Sequence, residues 1–427
     1  MEMEVVDHAS RLFQFPEDRA VGSLSLEFWT GIAWQLQPRR VLARGTVRVP
    51  QAARCTLHWA SSVPGLAPLD ALGPDDLYGF AVDESWPYEA DELAHLSHLT
   101  GLRVLGLGLH ELMYYTLKPA GARHLRGLHN LLDLDLGGRG LDDEEASFLR
   151  DLTKLESLGL QRTRVTDRSL TLLAGLEHLE LLGLEYTHLT GAGFVHFTGR
   201  SRLKVLSLLG TRLTSHVLRG LVVLGQLRKL DLAEAQLQGA ALRNLAGLEQ
   251  LEHLDVSSNH IDNRSLPTVG QMLTLRSLSL HDTQITGDGL RALATLTKLE
   301  ALTLWDTGID DGSLIALTGM RRLRSLWLNN TGISGTGLVT LRGLSALTSL
   351  HLDHLPLRDA NLIYMRDLSA LEHLVLSDTP ITDAGLVHLE GLTALTYLGL
   401  HNTAVTAAGV ARLQQALPRC NIAAGPW

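Results

Sequence analysis

The chain has 427 residues, of which 45% are hydrophobic and 19% are charged, and its formal net charge is -9. An acidic chain without a cluster of lysine and arginine offers no electrostatic footprint for nucleic acid or for an anionic membrane. Two cysteines near opposite ends, Cys55 and Cys420, give no disulfide framework and fit reduced thiols.

The first residues, MEMEVVDHASRLFQFPEDR, begin acidic and lack the apolar run that a signal peptide requires. Later stretches also fall short of the roughly 18 uninterrupted apolar residues that span a membrane. We therefore expect a cytoplasmic protein, with a monomer favoured and with no membrane or nucleic-acid partner.

Residues 1–76 contain three short alternating stretches, SLSLEFW, GTVRVP and CTLHWA, separated by turns with proline or glycine. Such alternation predicts strands. We expect a β-rich N-terminal cap over residues 1–76, because a repeat array otherwise exposes its terminal leucines. The alternative is a separate effector module, although the segment carries no nucleotide loop, metal-ligand spacing or catalytic motif.

From residue 77 onward the chain repeats the pattern L-x-x-L-x-L. Regular copies start every 24 residues, a period that indicates a solenoid. Irregular copies precede them at Leu77 and Leu102, and the second carries five extra residues around ELMYYTLKP. Insertions in solenoids form loops that often bind partners, so Met113, Tyr114 and Tyr115 are a secondary candidate site. The regular starts are Leu131, Leu155, Leu179, Leu203, Leu227, Leu251, Leu275, Leu299, Leu323, Leu347, Leu371 and Leu395.

Each unit changes its period within itself. LESLGL, which starts at Leu155, alternates like a half-buried strand, whereas Leu170, Leu173 and Leu176 follow at spacing three, like one face of a helix. A threonine follows most strands in the motif T-x-[IVL]-T, where its hydroxyl can bond the turning backbone and stacked copies make a ladder. A Thr, Asp or Ser three residues later predicts a helix N-cap in ten of the twelve regular repeats.

The full form of this motif, T-x-[IV]-T-D-x-G-L, is clearest in TPITDAGL from Thr379. It resembles bacterial leucine-rich repeat proteins and, with Thr in place of Cys, the cysteine-containing repeats of F-box substrate receptors. The resemblance implies an α/β fold, a right-handed leucine-rich repeat solenoid (horseshoe) with a parallel β-sheet on the concave face and short helices on the convex face. We expect the solenoid over residues 77–416 and a C-terminal cap over residues 417–427, in which Cys420 fills a buried leucine position.

Sequence signatures of common chemistry are absent. The chain contains no G-x-x-x-x-G-K-[ST], G-x-S-x-G, H-E-x-x-H or C-x-x-C motif. We therefore predict a protein that is not an enzyme and that uses no cofactor and no metal. The open alternative is an unrecognised catalytic site in residues 1–76 or on the sheet.

The informative side chains lie on the exposed face of the predicted sheet. With the first leucine of L-x-x-L-x-L as position one, positions five and seven alternate with buried leucines and face outward, and position eight begins the turn. Trp305 and Trp327 stand there within about 7–8 Å of each other by strand geometry, and aromatic anchors ringed by polar groups resemble a binding hot spot. The predicted partner-binding residues are His281, Asp282, Trp305, Asp306, Trp327, Asn329, His351, Asp353, His354 and His401.

Other interpretations of this face are open. The tryptophans can serve as cover for neighbouring residues instead of as anchors. The histidines and aspartates could also hold a metal ion, although adjacent Asp and His are common on solenoid faces. Unperturbed imidazoles titrate near pH 6.5, so His281, His351, His354 and His401 predict binding that depends on pH between about 5 and 7.

Repeat scaffolds of this kind offer extended binding surfaces, so we predict non-catalytic recognition of a protein or peptide on the concave face. A further alternative, which rests on the resemblance alone, is an adaptor or host-directed effector in ubiquitin ligation. No F-box-like helical segment in the sequence supports that alternative.

Overall fold

The computed structural model describes residues 10–29, 34–36, 40–60, 62–83, 90–108, 121–138, 140–197, 201–214 and 217–425. The secondary candidate site, Met113, Tyr114 and Tyr115, lies outside the described residues. The chain forms a solenoid in which a short strand and a short helical segment alternate, which confirms the predicted fold class. Contacts divide it into two compact units, Met1–Leu206 and Ser207–Trp427.

The segment before the repeats is built from strands, as its alternating stretches predict. They are β1 (Ser10–Gln14), β2 (Gly22–Trp29), β3 (Trp34–Leu36), β4 (Val41–Leu42), β5 (Thr46–Pro50) and β6 (Arg54–Ala60). β1 pairs antiparallel with β5, and β2 pairs antiparallel with β3, β4 and β6. β6 also pairs in parallel with Gly79–Asp83 of the first repeat. The N-terminal segment therefore supplies a strand of the parallel sheet, and its division from the solenoid at residue 76 stays a prediction.

The repeats contribute short strands that pair mainly in parallel. They are β7 (Gly79–Asp83), β8 (Val104–Gly106), β9 (Asp133–Asp135), β10 (Ser157–Gly159), β11 (Leu181–Gly183), β12 (Val205–Ser207), β13 (Lys229–Asp231), β14 (Gln238–Gly239), β15 (His253–Asp255), β16 (His260–Ile261), β17 (Ser277–Ser279), β18 (Ala301–Thr303), β19 (Ser325–Trp327), β20 (Ser349–His351), β21 (His373–Val375), β22 (Tyr397–Leu400) and β23 (Asn421–Ala424). In the second unit β13, β15 and β17 to β23 pair in that order, while β14 pairs with β16 beside them. The register places equal repeat positions opposite each other, so that Leu278 pairs with Leu302 and Thr303 with Trp327.

Opposite the strands the chain returns through short helical segments, most of which are 3₁₀ helices. Neighbouring strands lie about 4.8 Å apart, whereas packed α-helices need about 8–10 Å between their axes, so a tighter helix reduces the mismatch between the two sides. Within the described residues no helix has the length and apolar character needed to cross a membrane. The α-helices are α1 (Asp167–Leu173), α2 (Leu266–Val269), α3 (Gly287–Leu290), α4 (Asp383–Leu386) and α5 (Ala407–Ala416), and the 3₁₀ helices are Ala67–Ala71, Ala90–Leu96, Ala122–Leu125, Glu145–Asp151, Ala192–His196, Val217–Val223, Ala241–Leu245, Asn263–Ser265, Arg291–Leu293, Asp311–Leu317, Thr336–Gly343 and Asp359–Met365.

The predicted leucine core is confirmed. In the repeat that starts at Leu275, positions one, four and six are Leu275, Leu278 and Leu280, and each is at most 1% exposed. Ile285 and Leu290 close the same layer from the helical side and are fully buried. Because each repeat is only one layer thick, these side chains are shielded from water mainly by the neighbouring repeats.

Replacing Leu280 with Ala should lower the free energy of unfolding by about 2–5 kcal/mol, because it leaves a cavity in a fully buried layer. The matched control is Leu273→Ala, since Leu273 is close in sequence but 57% exposed. The control should cost less than about 0.5 kcal/mol. Denaturant melts measure both values, and equal losses would show that the inward and outward assignments are wrong.

In eight repeats the threonine after the strand donates its hydroxyl hydrogen to the carbonyl oxygen three residues before it, as Thr307 does to Leu304 at 2.5 Å. The predicted bond to the turning backbone is confirmed, but it stays within one repeat because a hydroxyl has a single proton to donate. A link to the preceding repeat occurs at Asn259, whose Nδ2 donates to the Leu232 carbonyl and whose Oδ1 accepts from the Leu237 N–H, both at 2.8 Å. The threonines are Thr163, Thr187, Thr211, Thr283, Thr307, Thr331, Thr379 and Thr403.

An aspartate just after the N-cap position ties several repeats to the next one, a role that the sequence analysis missed. Asp311 accepts hydrogen bonds from the backbone N–H groups of Ser334, Gly335 and Gly337 at 3.2, 3.2 and 2.8 Å. A carboxylate of one repeat thus caps the start of the following helical segment, where an anion is favoured. Equivalent forward bonds are made by Asp143, Asp167, Asp359 and Asp383.

This link changes two of the predicted N-caps. At Thr190 and Ser334 the prediction was wrong, because glycines in the left-handed conformation, Gly191 and Gly335, take the N-cap position. The two hydroxyls donate instead to the aspartate of the preceding repeat, a charged acceptor that holds them more strongly than a neutral one. The predicted caps that accept from their own first turn are Asp142, Thr166, Asp262, Asp310, Thr382 and Thr406. Thr286 takes the N-cap position, but its side chain accepts no bond from its own first turn, so that prediction was wrong as well.

Burial acts to raise the pKa of Asp311, but hydrogen bonds from Ser334, Gly337 and Thr336 outweigh it and hold the pKa below its ordinary value. The link therefore stabilises the fold above about pH 4, and this stability is lost as the pH falls through the depressed pKa. Asp311→Asn should cost about 1 kcal/mol at neutral pH, since the partly exposed carboxylate is screened by water. In this variant the free energy of unfolding should also fall less steeply as the pH is lowered.

The control for this change is Asp288→Asn, an exposed aspartate on the helical side that pairs with Arg291 at 3.0 Å. Thermal melts at several pH values compare the two variants with the wild type. An unchanged acid profile in the Asp311 variant would contradict the link.

Both cysteines are buried and unpaired. Burial raises the pKa of Cys55 to about 12 and that of Cys420 to about 11, so both stay as thiols. Cys420 immediately precedes β23 and is 4% exposed, which confirms its predicted core position.

Candidate functional site

Positions three and five face away from the leucine core, and position five does so as the sequence predicts. In β17 to β20 the middle residue is buried and both flanking residues are accessible. The parallel register aligns equal positions of successive repeats into rows that run across the strands. We call positions three, five, seven and eight of the seven repeats that start from Leu251 to Leu395 the outer sheet face. Its position-five row includes Ser279, Thr303, Trp327 and His351, and its position-seven row includes His281, Trp305, Asn329 and Asp353.

Trp305 stacks on His281, which occupies the same position in the preceding repeat. The ring centroids lie 4.1 Å apart and the ring planes meet at 14°. The Oγ of Ser279 lies 2.9 Å from Nδ1 of the imidazole and fixes its orientation. The stack leaves the indole half-buried, so this side chain is less exposed than the sequence suggests.

Trp327 forms a second stack, with His351 at the same position in the following repeat. The centroids lie 4.0 Å apart at an interplanar angle of 18°. Its indole Nε1 donates a hydrogen bond to the Oγ of Ser325 at 3.1 Å. Trp327 is 37% exposed and is the more accessible of the two tryptophans.

Burial lowers the pKa of both stacked histidines below the ordinary value of an imidazole. Nearby carboxylates act in the opposite direction but do not offset the burial. Protonation of these two rings therefore falls at lower pH than for a free imidazole, and the predicted pH window of binding shifts downward for them. The opposing carboxylates are Asp255, Asp282 and Asp306 for His281 and Asp353 for His351, where His373 acts together with burial.

Each indole uses one face for its histidine and turns the other face toward the opposite stack. The strand order is β17, β18, β19, β20, so His281 covers the β17 side of Trp305 and leaves the side toward β19 and Asn329. His351 covers the β20 side of Trp327 and leaves the side toward β18 and Thr303. We name the spaces beside these two faces the Asn329 slot and the Thr303 slot, after the residue on the neighbouring strand that the register places at the floor of each.

Asn329 and Asp353 complete the position-seven row beside Trp305. Backbone hydrogen bonds of 3.2 Å between the strands at this level hold the three residues side by side. Within the described part of the chain, the Oδ1 of Asn329 is buried without a hydrogen-bond partner. His401 lies farther along the same row and is exposed.

Position eight has a structural reason for its residue types. Asp282, Asp306 and His354 have φ angles of 49°, 53° and 57°, in the left-handed region that Asp, Asn and His tolerate better than other residues. Their side chains also bridge repeats, since Asn330 donates to the Asp306 carboxylate and His354 Nε2 lies 3.5 Å from Asp378 Oδ2. The left-handed turn is enough to explain why Asp, Asn and His occur at position eight. Their part in binding a partner stays a prediction.

Position three was missed by the sequence analysis. It supplies Ser325, which holds the Trp327 indole, and also His373 and Tyr397, whose ring centroids lie 6.3 Å apart. These rings extend the aromatic surface beyond His351. The same alternation with buried leucines that marks positions five and seven also marks position three.

The acidic and imidazole side chains of this face do not gather into a metal centre. Among the residues that the structure describes, no group of three or more His, Cys, Asp or Glu side chains is placed to hold an ion. The residues considered for such a site were His281, Asp282, Asp306, His351, Asp353 and His354.

Removing one indole should raise the pKa of its own histidine only, because the stack accounts for much of that imidazole's burial. Trp305→Ala should move the pKa of His281 toward about 6.5 and leave that of His351 unchanged, and Trp327→Ala should do the reverse. Each variant is the control for the other. Histidine side-chain NMR titrations measure both values, and a shift of both or of neither would contradict the paired geometry.

The family model described as Leucine Rich repeat matches residues 250–266, 271–294 and 369–389. Among solved structures, an internalin (inlF) from Listeria monocytogenes is similar, with a TM-score of 0.59 and 22% identity over 74% of this chain and 85% of that chain. A leucine-rich repeat protein of Leptospira interrogans has a TM-score of 0.50 and 20% identity over 86% of this chain and 88% of that chain. A search of curated protein sequences finds no match. These likenesses establish the leucine-rich repeat fold.

Proposed function

We propose that this protein is a non-catalytic recognition scaffold that holds a protein or peptide partner on its outer sheet face. The observation that carries the proposal is the pair of stacks, Trp305 on His281 and Trp327 on His351, in which each histidine takes one face of its indole. Indoles held in this way lose little conformational freedom when a partner binds, which favours affinity. Polar side chains surround them, as in the hot spots of known interfaces.

The backbone of these strands is already engaged, which limits how a partner can bind. In the second unit the N–H and C=O groups of β17 to β22 pair with strands on both sides. A partner segment cannot add a strand in the middle of such a sheet. Recognition on this face would therefore depend on side chains, and the largest ones there are the two indoles.

The chain also supports two finer assignments. The regular T-x-[IV]-T-D-x-G-L pattern supports a place among bacterial leucine-rich repeat proteins. Two buried, unpaired cysteines, Cys55 and Cys420, support a reducing compartment such as the cytoplasm.

Selection from a displayed library of random peptides tests the proposal and does not require the natural partner to be identified. Peptides about 12 residues long reach up to about 40 Å when extended and can cross several strands. Trp305→Ala and Trp327→Ala should each weaken the selected peptides by roughly thirtyfold, the usual effect of losing a hot-spot side chain. Calorimetry or polarisation assays measure the affinities, and circular dichroism should show an intact fold.

The control is Tyr364→Ala, which removes an aromatic ring from the 3₁₀ helix Asp359–Met365 on the opposite side of the repeats. It should leave peptide affinity unchanged. Peptides that bind the wild type and both tryptophan variants equally would show that the indoles are only cover for the sheet.

A further inference from the structure

We infer that the partner segment on the outer sheet face is basic, and that the Asn329 slot takes one of its lysine or arginine side chains. This inference rests on the proposed function and adds the chemistry of the partner. Three observations carry it: the charge of the face, the pairing of two arginines at position two, and the groups that line the slot.

The outer sheet face contains carboxylates but no lysine or arginine. Its seven repeats contribute four positions each, and none of those residues is Lys or Arg. Six are histidines, and two of these, His281 and His351, have a pKa lowered by burial. The face therefore carries negative charge over most of its length, and this attracts a cationic segment. Its aspartates are Asp255, Asp282, Asp306, Asp353 and Asp378.

Two of the three arginines at position two of neighbouring repeats are already paired, and the third, Arg324, lies outside the outer sheet face as they do. Arg228 lies 2.8 Å from Glu252, and Arg276 lies 2.5 Å from Glu300. Both guanidinium groups are thus paired with glutamates at position two, outside the face. The negative charge of the aspartates at positions five, seven and eight is therefore not offset by these two arginines.

Groups that attract a cation stand on both sides of the Asn329 slot. The face of Trp305 away from His281 forms one wall, and a ring face stabilises an ammonium or guanidinium group within about 6 Å. Asp353 stands on the next strand and forms the other wall, about 4.8 Å from the floor by strand spacing. The buried Oδ1 of Asn329 adds partial negative charge beneath.

Asp353 is available to a partner. Within the part of the chain that the structure describes, no group donates a hydrogen bond to its carboxylate, and the side chain is accessible. An acidic partner would meet five carboxylates, and an apolar one would cover Asp353 without pairing its charge. Both would be disfavoured, so the slot selects for a basic side chain by penalising the alternatives as well.

A double-mutant cycle between a peptide and the slot tests the inference. The probes are synthetic peptides from the random library whose binding depends on Trp305, in which each lysine is replaced by norleucine and each arginine by citrulline. At one basic position this replacement should weaken binding by roughly tenfold, through loss of both the ring contact and the carboxylate contact. In Asp353→Asn the same replacement should cost clearly less, which shows coupling between the two groups. The affinity of the unmodified peptide should also fall between about 0.05 and 0.5 M sodium chloride.

Asp367→Asn is the matched control, since Asp367 pairs with Arg342 at 2.5 Å, away from the outer sheet face. It should show no coupling. If selected peptides depend on Trp305 but contain no basic residue whose replacement matters, or if Asp353 shows no coupling, the inference is overturned while the proposed function stands. If no peptide depends on either tryptophan, the proposed function fails, and the inference fails with it.

Discussion

The in-register pairing of successive short strands is the constraint on which the rest of this structure depends. A strand such as β18 has only three residues, so it can be held only by its neighbours β17 and β19. A repeat length of 24 residues keeps equal positions opposite each other along the second unit. The leucines then meet leucines in the core, and the outward residues meet their counterparts on the face. The forward bonds from aspartates such as Asp311 reinforce the same register on the helical side.

The same register brings together aromatic rings that are distant in sequence. Trp305 and His281 share position seven, and Trp327 and His351 share position five, so each pair lies on neighbouring strands and stacks at about 4 Å. In one pair the histidine precedes the tryptophan, and in the other it follows. Because of this reversal, the indole face that is not stacked on a histidine points in each case toward the strand of the other tryptophan, and the slots lie there. A face built only of equal residues would have a continuous stack with no slots.

Much of the fold and part of the site could be predicted from the sequence. The alternation around Leu278 predicts the strand and its buried residue, and the 24-residue period predicts the rows in which Trp305 and Trp327 stand. The stacks could not be predicted, because strand geometry fixes where a side chain starts but not its rotamer. The forward reach of Asp311 was missed for a related reason, since an aspartate after an N-cap usually serves its own helix. Asp306 suits the left-handed backbone of its turn, and it would also suit a binding surface. The residue pattern alone does not distinguish these two reasons.

Repetition also places like charges close together on the outer sheet face, and neighbouring residues offset only some of them. Equal positions lie one strand apart, so carboxylates placed there repel each other unless a neighbour offsets them. Along the turn row, Asp306 accepts from Asn330 and Asp378 accepts from Asn402. Asp353, in the position-seven row, lies beside the uncharged Asn329 and keeps its carboxylate open. Its charge thus lies two strands from the Trp305 indole, across Asn329, where a cationic side chain placed between them would satisfy both groups at once.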